Sequence, residues 1–228
     1  MKRTQGSTGH SRRGGLWVLA GTILWATPST IAAQNRGLEI LNGAAERYAA
    51  VETLCADFIQ HLSVPLLGNE RTGTGRLCQE RPNLFAMRFS DPAGDLIVVD
   101  GAFAWVYFPS NDAKTVLKTS ADQSAGGRDF HREFLENPDS KYEVEYEDED
   151  VVAGNETYRL RMSPRGPASY RSAVVWIDQG SPVLRQLRLE EENGSVRTIT
   201  LAGVVFDADP GAEWFSFTPP AGALVMVR

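Results

Sequence analysis

The sequence predicts a mainly β chain, an antiparallel sheet forming a barrel or a curved half-barrel of about eleven strands. Three observations predict it. Short runs of alternating apolar and polar residues recur along most of the chain. Gly, Pro, Asn and Asp separate those runs at close intervals. Helical spacing of apolar residues appears at only two places, which is too little for an α/β pattern. The 228 residues suit one domain and are ample to bury a core. No linker and no repeat of fixed period divides them.

Residues 1–33 stand apart from this pattern. Lys2, Arg3, Arg12 and Arg13 make a basic opening without an acid. Leu16 to Trp25 is mostly apolar, and Pro28 and a small-residue tail to Ala33 follow. That order is the order of a secretory signal peptide, with cleavage after Ala32 or Ala33. The apolar run is too short to span a bilayer comfortably, which disfavours a retained anchor. Ser11-Arg12-Arg13 has the look of a twin-arginine signal, but Gly15 occupies a position where an apolar residue is wanted. The export route stays open. No cysteine lies near the cleavage site, which argues against a lipid anchor. The expected division is a signal peptide at 1–33 and a single domain at 34–228.

The leader also distorts the charge. The whole chain carries −6. Without residues 1–33 it has 19 basic and 29 acidic residues, a charge of −10. Such a balance excludes a nucleic-acid binder, which needs positive charge for phosphates.

The first element of the mature chain is an amphipathic helix at 37–55, weakened by Gly43. Its apolar stripe is Leu41, Ala44, Tyr48, Val51 and Cys55. Strands follow at 58–67, 75–80, 85–89, 96–99, 103–108 and 114–118. Asp100-Gly101 between the fourth and fifth is a hairpin signal. Residues 119–138 break the rhythm as a loop with a short amphipathic helix from Asp129 to Leu135. Strands resume at 142–146, 157–162, 173–178, 183–190 and 196–205, with a terminal one at 215–217.

Export gives the two cysteines a meaning. Cys55 and Cys78 are the only pair, and an oxidising compartment permits a disulfide. With Cys55 on the helix and Cys78 on a strand, a bridge pins the first helix to the sheet. It is worth roughly 3 kcal/mol through the unfolded chain. Two separate buried thiols are the alternative.

Raw material for catalysis is scarce. His61 and His131 are the only histidines of the mature chain, and no Gly-x-Ser-x-Gly elbow accompanies them. The expectation is a protein that is not an enzyme, with no catalytic residues. A zinc site needs more His or Cys than are present. The acidic run Glu143–Asp150 lacks the glycine-spaced ligands of a calcium loop and reads as a strand with one solvated face. No metal and no cofactor is expected.

The apolar side of the sheet carries the more informative pattern. Phe58, then Phe85, Met87 and Phe89, then Ile97 and Val99, then Phe103, Trp105 and Tyr107 place a row of large side chains on sheet faces. A strongly curved sheet with few helices to cover it either fills this space as core or leaves a dry cavity for an apolar ligand. Composition leaves both open.

Local motifs narrow the choice. Arg81-Pro82-Asn83-Leu84-Phe85, Pro92, Val98-Val99-Asp100-Gly101 and Trp105-Val106-Tyr107-Phe108-Pro109 resemble the LolA family of periplasmic outer-membrane lipoprotein carriers. Phe58-Ile59-Gln60 before them and Phe215-Ser-Phe-Thr-Pro-Pro-Ala-Gly222 after them match in the same order. The resemblance spans roughly residues 38–225. It implies an unclosed, strongly curved antiparallel half-barrel with a helical lid over a hydrophobic cavity. It implies a monomeric periplasmic carrier that binds the acyl chains of lipoproteins and moves them from the inner to the outer membrane. The implied partners are lipidated outer-membrane lipoproteins, an inner-membrane ABC transporter that releases them and an outer-membrane receptor. The implied cavity lining is the row from Phe58 to Tyr107. The implied lid latch is Arg81, whose guanidinium would hydrogen-bond lid carbonyls in the closed state.

This sequence departs from the family pattern in four places. Met87 stands where many members have Trp, and a flexible thioether still suits a lipid pocket. Cys55 and Cys78 are absent from the best-known members. The segment 119–138 matches poorly. The chain stops soon after Pro220, without the extra terminal strand of some members. A lipid-binding envelope sensor on the same fold is the alternative function, although such proteins carry a further domain. An esterase with an acyl pocket is a third, opposed by the missing nucleophile motif.

Overall fold

In a computed structural model, the structure describes residues 28–121 and 130–227. Helix α1 (Pro28–Ala49) precedes strands β1 (Thr53–Val64), β2 (Asn69–Glu80), β3 (Leu84–Asp91), β4 (Leu96–Asp100), β5 (Phe103–Tyr107) and β6 (Thr115–Ser120). Short helices α2 (Phe130–Leu135) and α3 (Pro138–Lys141) follow. Strands β7 (Tyr142–Val152), β8 (Asn155–Pro164), β9 (Tyr170–Asp178), β10 (Leu184–Glu191), β11 (Val196–Phe206) and β12 (Leu224–Val227) complete the chain.

The twelve strands of the described residues form one sheet in the order β12-β6-β5-β4-β3-β2-β1-β11-β10-β9-β8-β7. Two meanders make it. The chain starts in the middle with β1 and steps outward by antiparallel hairpins to β6. It then crosses to the far edge and steps back from β7 to β11, which pairs with β1. The two edges do not pair, so the sheet is unclosed. The crossing segment carries α2 and α3, which with α1 cover one face of the curved sheet. This is the predicted mainly β, unclosed antiparallel fold.

That covered face is the main core. Phe58, Phe85, Met87 and Ile97 from the first meander and Leu160, Met162, Val175 and Leu187 from the second are all nearly inaccessible. Leu41, Ala44 and Tyr48 of α1 and Phe130, Phe134 and Leu135 of α2 pack onto them. Gly37 lets α1 approach the sheet closely. A Cβ there would stand 2.8 Å from the Tyr146 backbone nitrogen on β7. Any larger residue at 37 would push the helix off that edge.

A smaller apolar layer lies on the opposite face. Cys55, Cys78, Ala86 and Val98 stand side by side across β1 to β4, capped by Phe215 with Trp214 and Phe217 beside it. Cys55 and Cys78 are directly opposed in the β1–β2 ladder and form a disulfide.

Several expectations are corrected by this arrangement. The first helix ends at Ala49, not at 55. The stripe through Val51 and Cys55 keeps helical spacing, but Thr53 onward pairs with β2 on one side, and Leu54 onward with β11 on the other. That double ladder outweighs local periodicity. The disulfide therefore joins two neighbouring strands and does not pin a helix. The predicted strand at 215–217 is replaced by a 3-10 turn at Ala212–Phe215, whose Phe215 is buried on the disulfide layer. The chain does carry a terminal strand, because β12 runs parallel to β6 at the sheet edge. The predicted leader lies outside the described residues as far as residue 27. Its last six residues fall at the start of α1.

Candidate functional site

The inner face gathers six of the nine residues singled out for a cavity. Phe58, Phe85, Met87, Phe89, Ile97 and Val99 all belong to its core. The β3–β4 ladder pairs odd numbers with odd ones, such as Phe85 with Val99 and Met87 with Ile97, so these side chains share one face. Phe103, Trp105 and Tyr107 do not join them. Across β4 and β5, Ile97 faces Val106 and Val99 faces Ala104, so odd meets even. Four residues lie between the last pair and shift the face. Ala104 and Val106 point inward, while Trp105 and Tyr107 lie on the outer face, where their rings meet Phe217. Phe103 packs against Trp105 under Lys118.

In this lid-closed arrangement the inner face is filled. Phe130 of α2 meets Phe85 edge-on with ring centroids 5.7 Å apart. Phe134 packs between Tyr142 and Tyr170 at 5.8 and 5.7 Å. Burying a side chain of this size is worth about 1.5–3 kcal/mol. The lid helices thus occupy the apolar space that the sheet offers.

Among the described residues, polar contacts fasten the lid at two sides. At the α1 side, Arg81 Nη2 donates a 2.7 Å hydrogen bond to the Tyr48 carbonyl oxygen. Tyr48 lies in the last turn of α1, where carbonyls lack helical partners and cations are favoured. Arg81 reaches it because it leaves the end of β2, where its backbone nitrogen also donates to Glu52. The Tyr48 hydroxyl accepts from the Leu184 backbone nitrogen on β10 at 3.1 Å. Burial raises the Tyr48 phenol well above its usual range, so it stays neutral. At the other side, Glu133 of α2 accepts from the hydroxyls of Tyr142 and Tyr170 at 2.7 and 2.6 Å. Lys141 caps the end of α2 by donating to the Arg132 and Glu133 carbonyls.

His131 is the unusual member of the lid. It is 4% exposed, and neither ring nitrogen has a hydrogen-bond partner. Its ring lies 4.3 Å from that of Tyr48. Burial lowers its pKa to about 3, so the ring is neutral near pH 7. Beside it a cleft of about 630 Å³ opens between the end of α1, the end of β2 and the α2–α3 segment. Arg81, Tyr48, His131 and Gln79 are among its walls.

Sequence reasoning set His131 aside as an ordinary histidine and missed Tyr48 as the acceptor for Arg81. It also missed Arg88 on the outer face. That guanidinium donates to the carbonyls of Trp214 and Ser216 at 3.0 and 2.8 Å and holds the C-terminal segment over the disulfide layer. Burial lowers its pKa. An arginine at an alternating strand position carries no sequence signal of such a task. The other histidine, His61, is exposed and shares a hydrogen bond with Thr72.

Comparison with known proteins extends these observations. Residues 49–218 match the family model "Outer membrane lipoprotein carrier protein LolA". An outer-membrane lipoprotein carrier protein of Haemophilus ducreyi is 28% identical over 199 residues, covering 87% of this chain and 89% of that protein. An uncharacterized protein of Methanocaldococcus jannaschii, MJ0687, is 25% identical over 189 residues. That match covers 82% of this chain but only about half, 53%, of the longer relative. Among solved structures, an uncharacterized conserved protein of Thermus thermophilus shares the fold with a TM-score of 0.53 and 14% identity. The match covers 85% of this chain and 99% of that one.

Proposed function

The chain belongs to the outer membrane lipoprotein carrier protein LolA family, and on that premise we propose that it carries lipoproteins by sheltering their acyl chains against the inner face of its sheet. One observation carries this reading. A continuous apolar sheet face is covered by helices whose apolar side chains pack onto it, with polar contacts among the described residues at the helix margins. When the lid swings away, the places of Phe130, Phe134 and Leu41 become available to acyl chains. Each methylene taken from water is worth about 0.8 kcal/mol, so three chains left exposed would be very costly. The lid side chains supply similar contacts when no cargo is present. The lid contacts therefore offset part of the gain from cargo, which eases release by a carrier that must also unload.

The Arg81 bond to Tyr48 has the geometry of a latch for the empty state. Breaking it frees the end of α1, and with it the Tyr48 ring that covers His131. The direction of transport is from the inner to the outer membrane. The partners are an inner-membrane ABC transporter that loads the carrier and an outer-membrane receptor that unloads it. The compartment is the periplasm, reached by cleavage of the leader at residues 1–33. Nothing in this exchange makes or breaks a covalent bond, so the protein acts as a carrier and not as an enzyme.

The test is recovery of the exported protein from periplasm, with its bound material identified by mass spectrometry. Lipidated protein bound in a one-to-one complex is the expected result. Recovery with free phospholipid alone, or with no acylated molecule, would overturn the reading.

A further inference from the structure

We propose that the cleft between the C-terminal end of α1 and the α2–α3 segment binds the positively charged peptide that follows the acylated residue of a lipidated cargo. The proposal rests on the acyl-carrier reading above and adds to it a second, polar subsite.

Position comes first. The cleft opens where the lid meets the end of the sheet, with Arg81 and Tyr48 in its wall. A cargo whose chains lie on the inner face must lead its polypeptide out between lid and sheet, and this is the gap on the latch side. Its volume of about 630 Å³ lies within the range of built ligand sites and accommodates a few residues of extended chain.

Unmet hydrogen bonding comes second. Both ring nitrogens of His131 and the Oε1 of Gln79 are buried without a partner, and both residues line this cleft. A buried polar group left unpaired is destabilising, so such groups call for an explanation. A neutral imidazole offers one donor and one acceptor, and the Gln79 oxygen offers an acceptor. A peptide backbone supplies the complementary N–H and C=O groups. An acyl chain supplies neither.

Charge comes third. Glu46, Glu52, Glu136 and Asp139 contribute carboxylates to the walls. Two guanidiniums stand against these four carboxylates, Arg132 paired with Glu136, and Arg81, whose bond to the Tyr48 carbonyl leaves its charge in place. Glu46, Glu52 and Asp139 have no ion pair among the described residues. The surplus is negative, which favours Lys or Arg in the ligand and disfavours a lipid phosphate.

The experiment uses the mature chain and three probes: palmitate, tripalmitoylated Cys-Ser-Lys-Lys-Lys-Lys, and the same lipid on Cys-Ser-Glu-Glu-Glu-Glu. Affinities are measured in 150 mM salt for the wild type, for E46Q/E52Q/D139N and for Q79L. A control variant, E145Q/D148N/E192Q, removes three exposed acids elsewhere. The expected result is a preference of about tenfold or more for the lysine lipopeptide. The cleft variant should abolish it, the control should keep it, and Q79L should weaken both lipopeptides without touching palmitate. Equal affinity for the two lipopeptides, or a preference that survives in the cleft variant, would overturn the proposal alone. Failure of all three probes to bind would overturn the acyl-carrier reading, and the proposal with it.

Discussion

Arg81 reaches back 33 residues in sequence to place its Nη2 2.7 Å from the carbonyl oxygen of Tyr48. That contact joins three bodies, because Tyr48 is also bonded through its hydroxyl to Leu184 on β10 and packed against the tilted ring of His131 of α2. A single residue at the end of α1 therefore couples Arg81, the sheet and α2. Polar contacts hold the covering helices at their margins, and apolar packing fills the space beneath them.

Replacing Arg81 with Leu should open the lid without unfolding the sheet. A hydrogen bond from a charged donor is worth about 1.5–3 kcal/mol, which corresponds to roughly 10–150-fold in the closed-to-open ratio. The variant should bind an uncharged apolar dye more tightly than the wild type, with far-UV circular dichroism unchanged. It should accept lipoprotein but release it slowly. A normal rate of transfer would remove the latch from the mechanism.

The disulfide predicts a stability effect of a different kind. Cys55 and Cys78 are 23 residues apart and close the β1–β2 hairpin. Removing the link restores entropy to the unfolded chain, at a cost of about 3 kcal/mol. C55A/C78A should therefore unfold at a lower denaturant midpoint with native topology retained. Because the bridge lies on the outer face, acyl-probe affinity should not change. A thiol count on the denatured, exported protein should find no free thiols.

These residues also show how far the sequence could be read. Alternation located strands such as β7 and β8, whose residues are buried in turn, while β4 and much of β9 are covered on both faces. It could not carry the face assignment through the β4–β5 hairpin. Whether Phe103, Trp105 and Tyr107 join Ile97 and Val99 depends on the number of residues in the turn, and a four-residue gap sends them outward. Cys55 kept helical spacing with Tyr48 and Val51, but two neighbouring strands decide its conformation. Strand β12 has exposed residues on both sides, so it shows no alternation to read. Arg81 was singled out through a family motif, since one arginine before a proline carries no physical signal of a bond to a carbonyl 33 residues away. Tyr48 and His131 meet only in three dimensions.

Arg88 should act as a clamp for the C-terminal segment. Its guanidinium donates to carbonyls of Trp214 and Ser216 and lies 5.6 Å from the Trp214 ring centre. In R88A those carbonyls lose their donor, and Phe215 loses the support that keeps it on the disulfide layer. Limited proteolysis should cut R88A near residues 208–217 well before the wild type. R88K should protect only partly, because an ammonium lacks the planar fork that bonds several carbonyls at once. Equal cleavage of all three proteins would show that Phe215 packing alone holds the segment.

Acid should open the lid through His131. Buried in the closed state, its ring has a pKa of about 3. Exposed on an open lid, it returns to about 6.5. The groups around it are the Tyr48 ring from α1, Glu46, Glu52 and Arg81 along the cleft, Asp139 on α3, and Arg132 and Glu136 flanking it in its own segment. No hydrogen bond from any of them reaches the imidazole. Above about pH 6.5 the ring is neutral in both states, and the contribution of closure is complete. As pH falls from 6.5 towards 3, only the open lid takes up the proton, so closure weakens by about 1.4 kcal/mol per pH unit. At pH 5 the loss is about 2 kcal/mol, or roughly thirtyfold in the closed-to-open ratio. Binding of an uncharged apolar dye should therefore tighten between pH 7 and pH 5 in the wild type. In H131F, which keeps a ring against Tyr48 but cannot take a proton, the affinity should stay flat. A wild-type profile as flat as that of H131F would mean that the His131 ring does not leave its buried position when the lid admits an apolar ligand.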